Sequence, residues 1–207
     1  MKKVAILGPR GVGKSLFCAA IAQHALHHFP ASLTQGQEHL HGILTGHWRN
    51  DYFATVGHYP IELNIRKSFL SQVRIKTMDI PGWAFESVLP PLDYVKHLNG
   101  VHHVAFLINP TDSRDNGHVD AIRRNMTTLV QHKPMFRKLR VSLVVTHAEF
   151  LSMEIQQSCS DAYNCVARDY YPGLLLNPCL RFIGSKESLN KRGSEEAEAI
   201  IRDFMEL

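Results

Sequence analysis

No apolar stretch of this chain approaches the roughly 20 residues that a membrane span requires. The N-terminal MKKVAILGPRG begins like a secretory leader, but its apolar run, Val4 to Leu7, is far too short for one. The final RDFMEL carries no cysteine to lipidate. The expectation is a cytoplasmic protein without an intrinsic membrane anchor. Cysteine is scarce: Cys18, Cys159, Cys165 and Cys179 show neither paired CxxC spacing nor the density of a disulfide scaffold, and they read as buried reduced thiols. Net charge is only +4 and no Lys/Arg block stands out, so nucleic acid is not an expected partner. Internal repeats and low-complexity tracts are absent as well. What remains is an ordinary globular composition, 44% hydrophobic and 20% charged, in 207 residues, enough for a single domain with a sizeable core.

Strand and helix signals alternate along the chain. KVAIL feeds a glycine loop and reads as a central strand, followed by a helix from about Lys14 to Phe29 that Pro30 ends. Residues 30–56 hold Gly36, Gly42 and Gly46 and show no clear periodicity; a connection this long implies function or motion. IELNIRKSF and SQVRIKTMDI alternate in polarity and read as two antiparallel strands meeting near Leu70-Ser71. A short helix within 85–98 and the strands VHHVAFLIN, RVSLVV and CLRFIG follow. Between those strands, Ile122, Met126, Leu129 and Val130 mark one helix, and Ile155, Cys159, Ala162 and Val166 another. Ser194 suits the cap of a last helix, with Glu195 and Glu196 in its first turn and Ala197, Ile200, Ile201 and Phe204 on its apolar face. The sum is an α/β architecture: a three-layer, doubly wound, six-stranded sheet, mostly parallel with one antiparallel strand.

Gly8-Pro9-Arg10-Gly11-Val12-Gly13-Lys14-Ser15 fits G-x-x-x-x-G-K-[ST] in full, after a strand and with Lys14-Ser15 opening the helix that continues through Leu16 and Phe17. Glycines let the backbone wrap phosphate oxygens without Cβ clashes. Successive N–H groups then form an anion nest with the helix dipole behind it. Lys14 is the candidate catalytic cation, bridging β- and γ-phosphates, and the Ser15 hydroxyl is a candidate Mg²⁺ ligand. Gly8, Arg10, Gly11, Val12, Gly13, Lys14, Ser15 and Leu16 make up the expected nucleotide contact.

Asp79 closes an alternating strand and is followed by Pro81-Gly82. A carboxylate at such a strand end holds Mg²⁺ in P-loop proteins. With Asp79-Ile80-Pro81-Gly82 matching D-x-x-G, and with the element order in agreement, nearly the whole chain resembles the Ras-like small GTPases of the P-loop NTPase class. The resemblance implies that Gly82 offers its N–H to the γ-phosphate. It also implies a switch threonine that ligates Mg²⁺ and serves the reaction. Thr55, just before YPIELNI, is the candidate, ahead of Thr45 and Thr34.

For base recognition the family expects N/T-K-x-D after RVSLVV; here stand Thr146-His147-Ala148-Glu149. Thr146 is an accepted variant, Glu149 keeps the carboxylate with one more methylene, and His147 can stack on the base. Gly184-Ser185-Lys186 after CLRFI resembles the family's S-A-K loop, which implies a Ser185 N–H near guanine O6 and the Lys186 stem on the ring. GTP or GDP is the implied ligand.

Two positions depart from the pattern. Trp83 stands where many small GTPases carry a water-orienting glutamine, and Arg10 where most have glycine. Slow intrinsic hydrolysis is expected, with an unidentified effector or activator protein as partner. The leading reading is a GTP-binding switch; the alternatives are a nucleotide-holding module without turnover, or a P-loop ATPase or kinase. Against a kinase, only Arg123-Arg124 is available for a lid. His24 and His28, one helical turn apart, read as a surface pair, zinc being the less favoured role.

Overall fold

The computed structural model describes residues 2–45, 59–68, 71–79, 82, 100–109, 127, 140–146, 151–155, 157–158, 161, 179–182 and 193–205. In chain order these form β1 (Lys2–Leu7), α1 (Lys14–His28), β2 (Ala31–Gln35), α2 (Gln37–Thr45), β3 (Tyr59–Ser68), β4 (Ser71–Asp79), β5 (His103–Ile108), β6 (Arg140–Val145), β7 (Cys179–Phe182) and α3 (Gly193–Met205). One sheet holds all the strands, in the order β2-β3-β4-β1-β5-β6-β7. β3 is antiparallel to both its neighbours, and the pairs made by β1, β5, β6 and β7 are parallel. Only β3 therefore runs against the rest, as expected.

The strand count differs from the expected six. The additional strand is β2, from the segment whose periodicity gave no assignment. Its sequence, ASLTQ, holds a single large apolar side chain, and a register shift between Leu33 and Gln35 interrupts its pairing with β3. A strand at the sheet edge that packs one side chain inward leaves too short a pattern to read. Gly36 then turns the chain into α2, which buries Leu40 and Ile43.

β1 is apolar because helices and strands enclose it: Val4, Ile6, Ala5 and Leu7 have no exposed surface. Val4 and Ile6 belong to the core built with Phe17, Ile21 and Ala22 of α1 and Ile200, Ile201 and Phe204 of α3. On the other face Leu7, Phe106, Leu143 and Val145 are equally buried, so both faces are covered. β3 and β4 alternate instead, burying Ile61, Leu63, Ile65 and Ile75 and leaving the intervening polar residues outward. At Phe29 the chain turns extended, its N–H bonded to Ala25 O at 3.0 Å, and Pro30 prevents α1 from continuing.

α3 buries the four residues its pattern singles out, Ala197, Ile200, Ile201 and Phe204, and starts at Gly193, one position ahead of the expected Ser194 cap. Residues 153–155, 157–158 and 161 are helical, but Ile155 is exposed, against its expected place on an apolar face. Of the same set, Cys159, Ala162 and Val166 lie outside the described residues, as do the helix expected within 85–98 and Ile122, Met126, Leu129 and Val130. Cys18 is a buried thiol outside any disulfide.

At the amino end of the parallel strands His103 is buried, with its Nε2 2.7 Å from Ser142 Oγ and its ring edge-on to Phe204, centroids 4.9 Å apart. Burial, with the Arg140 charge adding to it, lowers the pKa of His103 to about 3, so the ring is neutral.

Candidate functional site

The carboxyl end of β1 opens directly into the glycine loop. Gly11 and Gly13 have φ of 77° and 90°, left-handed values that side chains disfavour, and these turns curl the backbone ahead of α1. Gly13 occupies the cap position of α1, with its carbonyl accepting the Phe17 N–H at 2.8 Å and no side chain capping the helix start. The first-turn amides of α1 thus face the loop with the helix's positive end behind them. Val12 is buried and holds the loop to the core, whereas Arg10 and Leu16 are exposed. A Cβ on Gly8 would sit 2.5 Å from the Leu107 carbonyl oxygen, so the loop starts flush against β5.

Lys14 is 6% exposed, and its ammonium donates to the Pro9 carbonyl at 2.7 Å. A buried cation is costly unless it is bonded, and here the chain bonds it across its own loop. Pro9 was not among the expected site residues. It acts through its main-chain oxygen, which leaves no side-chain signature. Ser15 follows, half-buried in the first turn of α1.

The D-x-x-G turn comes to the same place. β4 lies beside β1 with Asp79 paired to Ile6, so Asp79 ends its strand next to the residue pair that leads into the loop. Gly82 is buried against that loop: a Cβ there would meet Arg10 N at 2.5 Å, Arg10 Cα at 2.7 Å and Pro9 C at 2.8 Å. Gly8, Lys14, Ser15, Asp79 and Gly82 therefore gather at the carboxyl edge of β1 and β4.

On the other side of β1, Thr146 follows β6. Its N–H and its Oγ1 both donate to the Ile108 carbonyl, at 2.8 and 3.0 Å. That pair of hydrogen bonds fixes Thr146 to the end of β5. Val145 pairs with Phe182, so β7 ends beside β6 at the same edge. β1, β4 and β6 thus bring Gly8, Lys14, Ser15, Asp79, Gly82 and Thr146 to one edge, where the strand order switches direction about β1.

Thr55, Trp83, His147, Glu149, Ser185 and Lys186 lie outside the described residues. Thr34, one of the weaker switch candidates, sits in β2 with its Oγ1 bonded to the Glu62 carbonyl at 3.3 Å, which ties it to the sheet edge. The other, Thr45, is the last residue of α2. Among the described residues no group of three or more His, Cys, Asp or Glu side chains could hold a metal ion. His24 and His28 are stacked, with centroids 4.3 Å apart. His28 is exposed, but His24 is half-buried rather than on the surface, with its Nε2 buried and lacking a hydrogen-bond partner. Burial, and then the neighbouring His28, lower the His24 pKa. Among the described residues no helix is long and apolar enough to cross a membrane.

No family model matches this chain. No curated protein matches it either. Solved structures do. Translation elongation factor SelB from Methanococcus maripaludis, in complex with the GTP analogue GppNHp, superposes with a TM-score of 0.57 at 12% identity, over 99% of this chain and 33% of that one. A bacterial selenocysteine-specific elongation factor, EF-Sec, gives 0.54 at 11% identity, over 100% of this chain and 29% of that one. The chain spans about a third of the length of these proteins. Such low identity establishes architecture alone, and with the strand order above it establishes this much: the chain has the fold of a P-loop GTPase domain.

Proposed function

We propose that this chain is a guanine-nucleotide switch, organised as a single domain in the manner of the Ras-like small GTPases and acting in the cytoplasm. The observation that carries the reading is the seating of Gly82 on the Pro9–Arg10 backbone. Two motifs far apart in sequence meet without a side chain between them, as a switch sensing the terminal phosphate requires. The likeness to a structure holding a GTP analogue adds support for guanine as the base.

In this reading the glycine loop and the first turn of α1 bind the phosphates through main-chain N–H groups. Lys14 exchanges its Pro9 carbonyl for phosphate oxygens, and Arg10, Val12 and Leu16 flank the contact. Mg²⁺, when bound, neutralises the charge that develops on the β- and γ-phosphates. The residues present suit it: Ser15 in the first turn of α1 and Asp79 at the end of β4 would offer hard oxygen donors, and Thr55 would complete the set. Thr146 positions the loop in which His147 and Glu149 meet the base, with Ser185 and Lys186 on its far side. Attack of water on the γ-phosphorus releases phosphate and GDP. With Trp83 in the water-orienting position that step is slow without a partner protein, and turnover faster than about one per minute for the chain alone would contradict this.

Labelled GTP challenged with excess ATP tests the base. Displacement by GTP and not by ATP supports the reading, and equal displacement overturns the base-reading argument and leaves the P-loop ATPase or kinase alternative open. Trp83 and the altered T-H-A-E stretch also favour a second reading, a module that holds nucleotide without turning it over. Single-turnover hydrolysis with and without cell lysate separates the two.

A further inference from the structure

The sheet has a second surface that the phosphate loop does not use. β3 and β4 send Ile61, Leu63, Ile65 and Ile75 into the core. Successive strand residues face opposite ways, so Glu62, Asn64, Arg66, Arg74 and Lys76 share the other face. Arg66 and Arg74 are exposed, and Lys76 keeps a quarter of its side-chain surface, 26%. β1 adds Lys3, which pairs with Lys76 across the parallel ladder. The proximity is felt: burial, and after it the Lys76 charge, lower the Lys3 pKa.

Among the described residues of this face four cations stand with one carboxylate, Glu62, which sits 2.8 Å from the Lys76 ammonium. The ladder sets the spacing. Arg66 pairs with Gln72 and is diagonal to Arg74, about 7–8 Å away. Arg74 and Lys76 are two residues apart on one strand, about 6.8 Å. Lys3 lies one strand over from Lys76, about 4.8 Å. The row crosses three strands and runs for roughly 20 Å by those spacings. Arg74 Nε donates to Asn64 Oδ1 at 3.1 Å, and the Arg74 side chain is exposed.

We propose that this face docks an acidic protein segment, one whose carboxylates recur at the roughly 6 Å interval of an i,i+4 helix stripe. The arginine forks match carboxylates in a bidentate manner. Glu62 within the row disfavours a continuous phosphate backbone and suits a partner that mixes its charges. The described residues of the face include no aromatic ring, so it offers no platform on which single-stranded bases stack. The surface is independent of the nucleotide site and stands whether or not that site takes GTP.

The test is fluorescence anisotropy of a labelled oligoglutamate peptide and, in parallel, a labelled oligoadenylate RNA, against the full chain at low salt. The peptide should bind, weaken as salt rises, and lose roughly tenfold in affinity with Arg66→Ala/Arg74→Ala. Both side chains are exposed, so the thermal midpoint should hold; Arg66→Ala alone, with a smaller loss, serves if the double variant melts early. Absence of peptide binding overturns the proposal, and so does binding indifferent to these substitutions. RNA bound more tightly than the peptide also overturns it, in favour of a nucleic-acid surface.

Discussion

A Cβ on Gly82 would stand 2.5 Å from the main-chain nitrogen of Arg10. Real Cβ atoms do not approach backbone so closely, and neither partner is the end of a flexible side chain. Gly82→Ala must therefore part the D-x-x-G turn from the phosphate loop. The expected result is a loss of about 1.5–3 kcal/mol in GTP affinity, the worth of one hydrogen bond to a charged group, with GDP affected less. Titration with fluorescent GTP and GDP reads this directly; an equal loss for the two nucleotides would mean that Gly82 does not sense the terminal phosphate.

Lys14→Ala removes both the proposed phosphate cation and the 2.7 Å bond to the Pro9 carbonyl. Nucleotide affinity should drop by at least about tenfold, from a charge-assisted contact of about 1.5–3 kcal/mol. Stability should fall much less, by about 1 kcal/mol, for the carbonyl left unpaired. Calorimetric titration beside a thermal melt distinguishes the two effects. Unchanged affinity would remove the basis of the phosphate-loop reading.

The buried His103 ties stability to pH. Its folded pKa, about 3, lies below the ordinary histidine value of 6.5. As pH falls through the window between these values, the unfolded chain takes up a proton that the folded chain refuses, so stability declines. The slope is about 1.4 kcal/mol per pH unit once pH is well below the unfolded value. Urea midpoints from pH 7 down to pH 5 should show this decline, and His103→Gln should remove about that much slope whatever its effect at pH 7. A variant with the wild-type slope would show that His103 does not govern it.

Phe204 is 1% exposed and meets the His103 ring edge-on at 4.9 Å. Phe204→Ala opens a cavity between α3 and β5 and should cost about 3–5 kcal/mol. Phe204→Leu should cost far less, because it keeps most of the volume. Denaturant melts of the two variants provide the check, and near-equal values would mean that the site collapses around the smaller side chain.

Much of this was legible beforehand because the relevant patterns are periodic or punctuated. The alternation of Ile61, Leu63 and Ile65, the unbroken run Val4 to Leu7, and the 3–4 spacing of Ala197, Ile200, Ile201 and Phe204 each have one geometric solution. The glycine loop was legible because it is a dense local motif. β2 escaped because its inward side is nearly a single residue, Leu33. The role of Pro9 escaped because a carbonyl has no letter of its own. Ile155 misled because a helical spacing of apolar residues does not say which neighbour, if any, will cover them. The basic row of Lys3, Arg66, Arg74 and Lys76 is dispersed in sequence and assembles only through strand pairing, so no charge run announces it.

The pairing of β1 also sets a timetable. Lys2 finds Ile75 and Val4 finds His103, both far down the chain. During synthesis β1 and the loop behind it must wait, unpaired and apolar, until the strands on both flanks have left the ribosome. The proposed phosphate loop is thus translated ahead of both flanking strands, and a nascent chain halted before β5 would carry the whole glycine motif without the strand that Val4 pairs with.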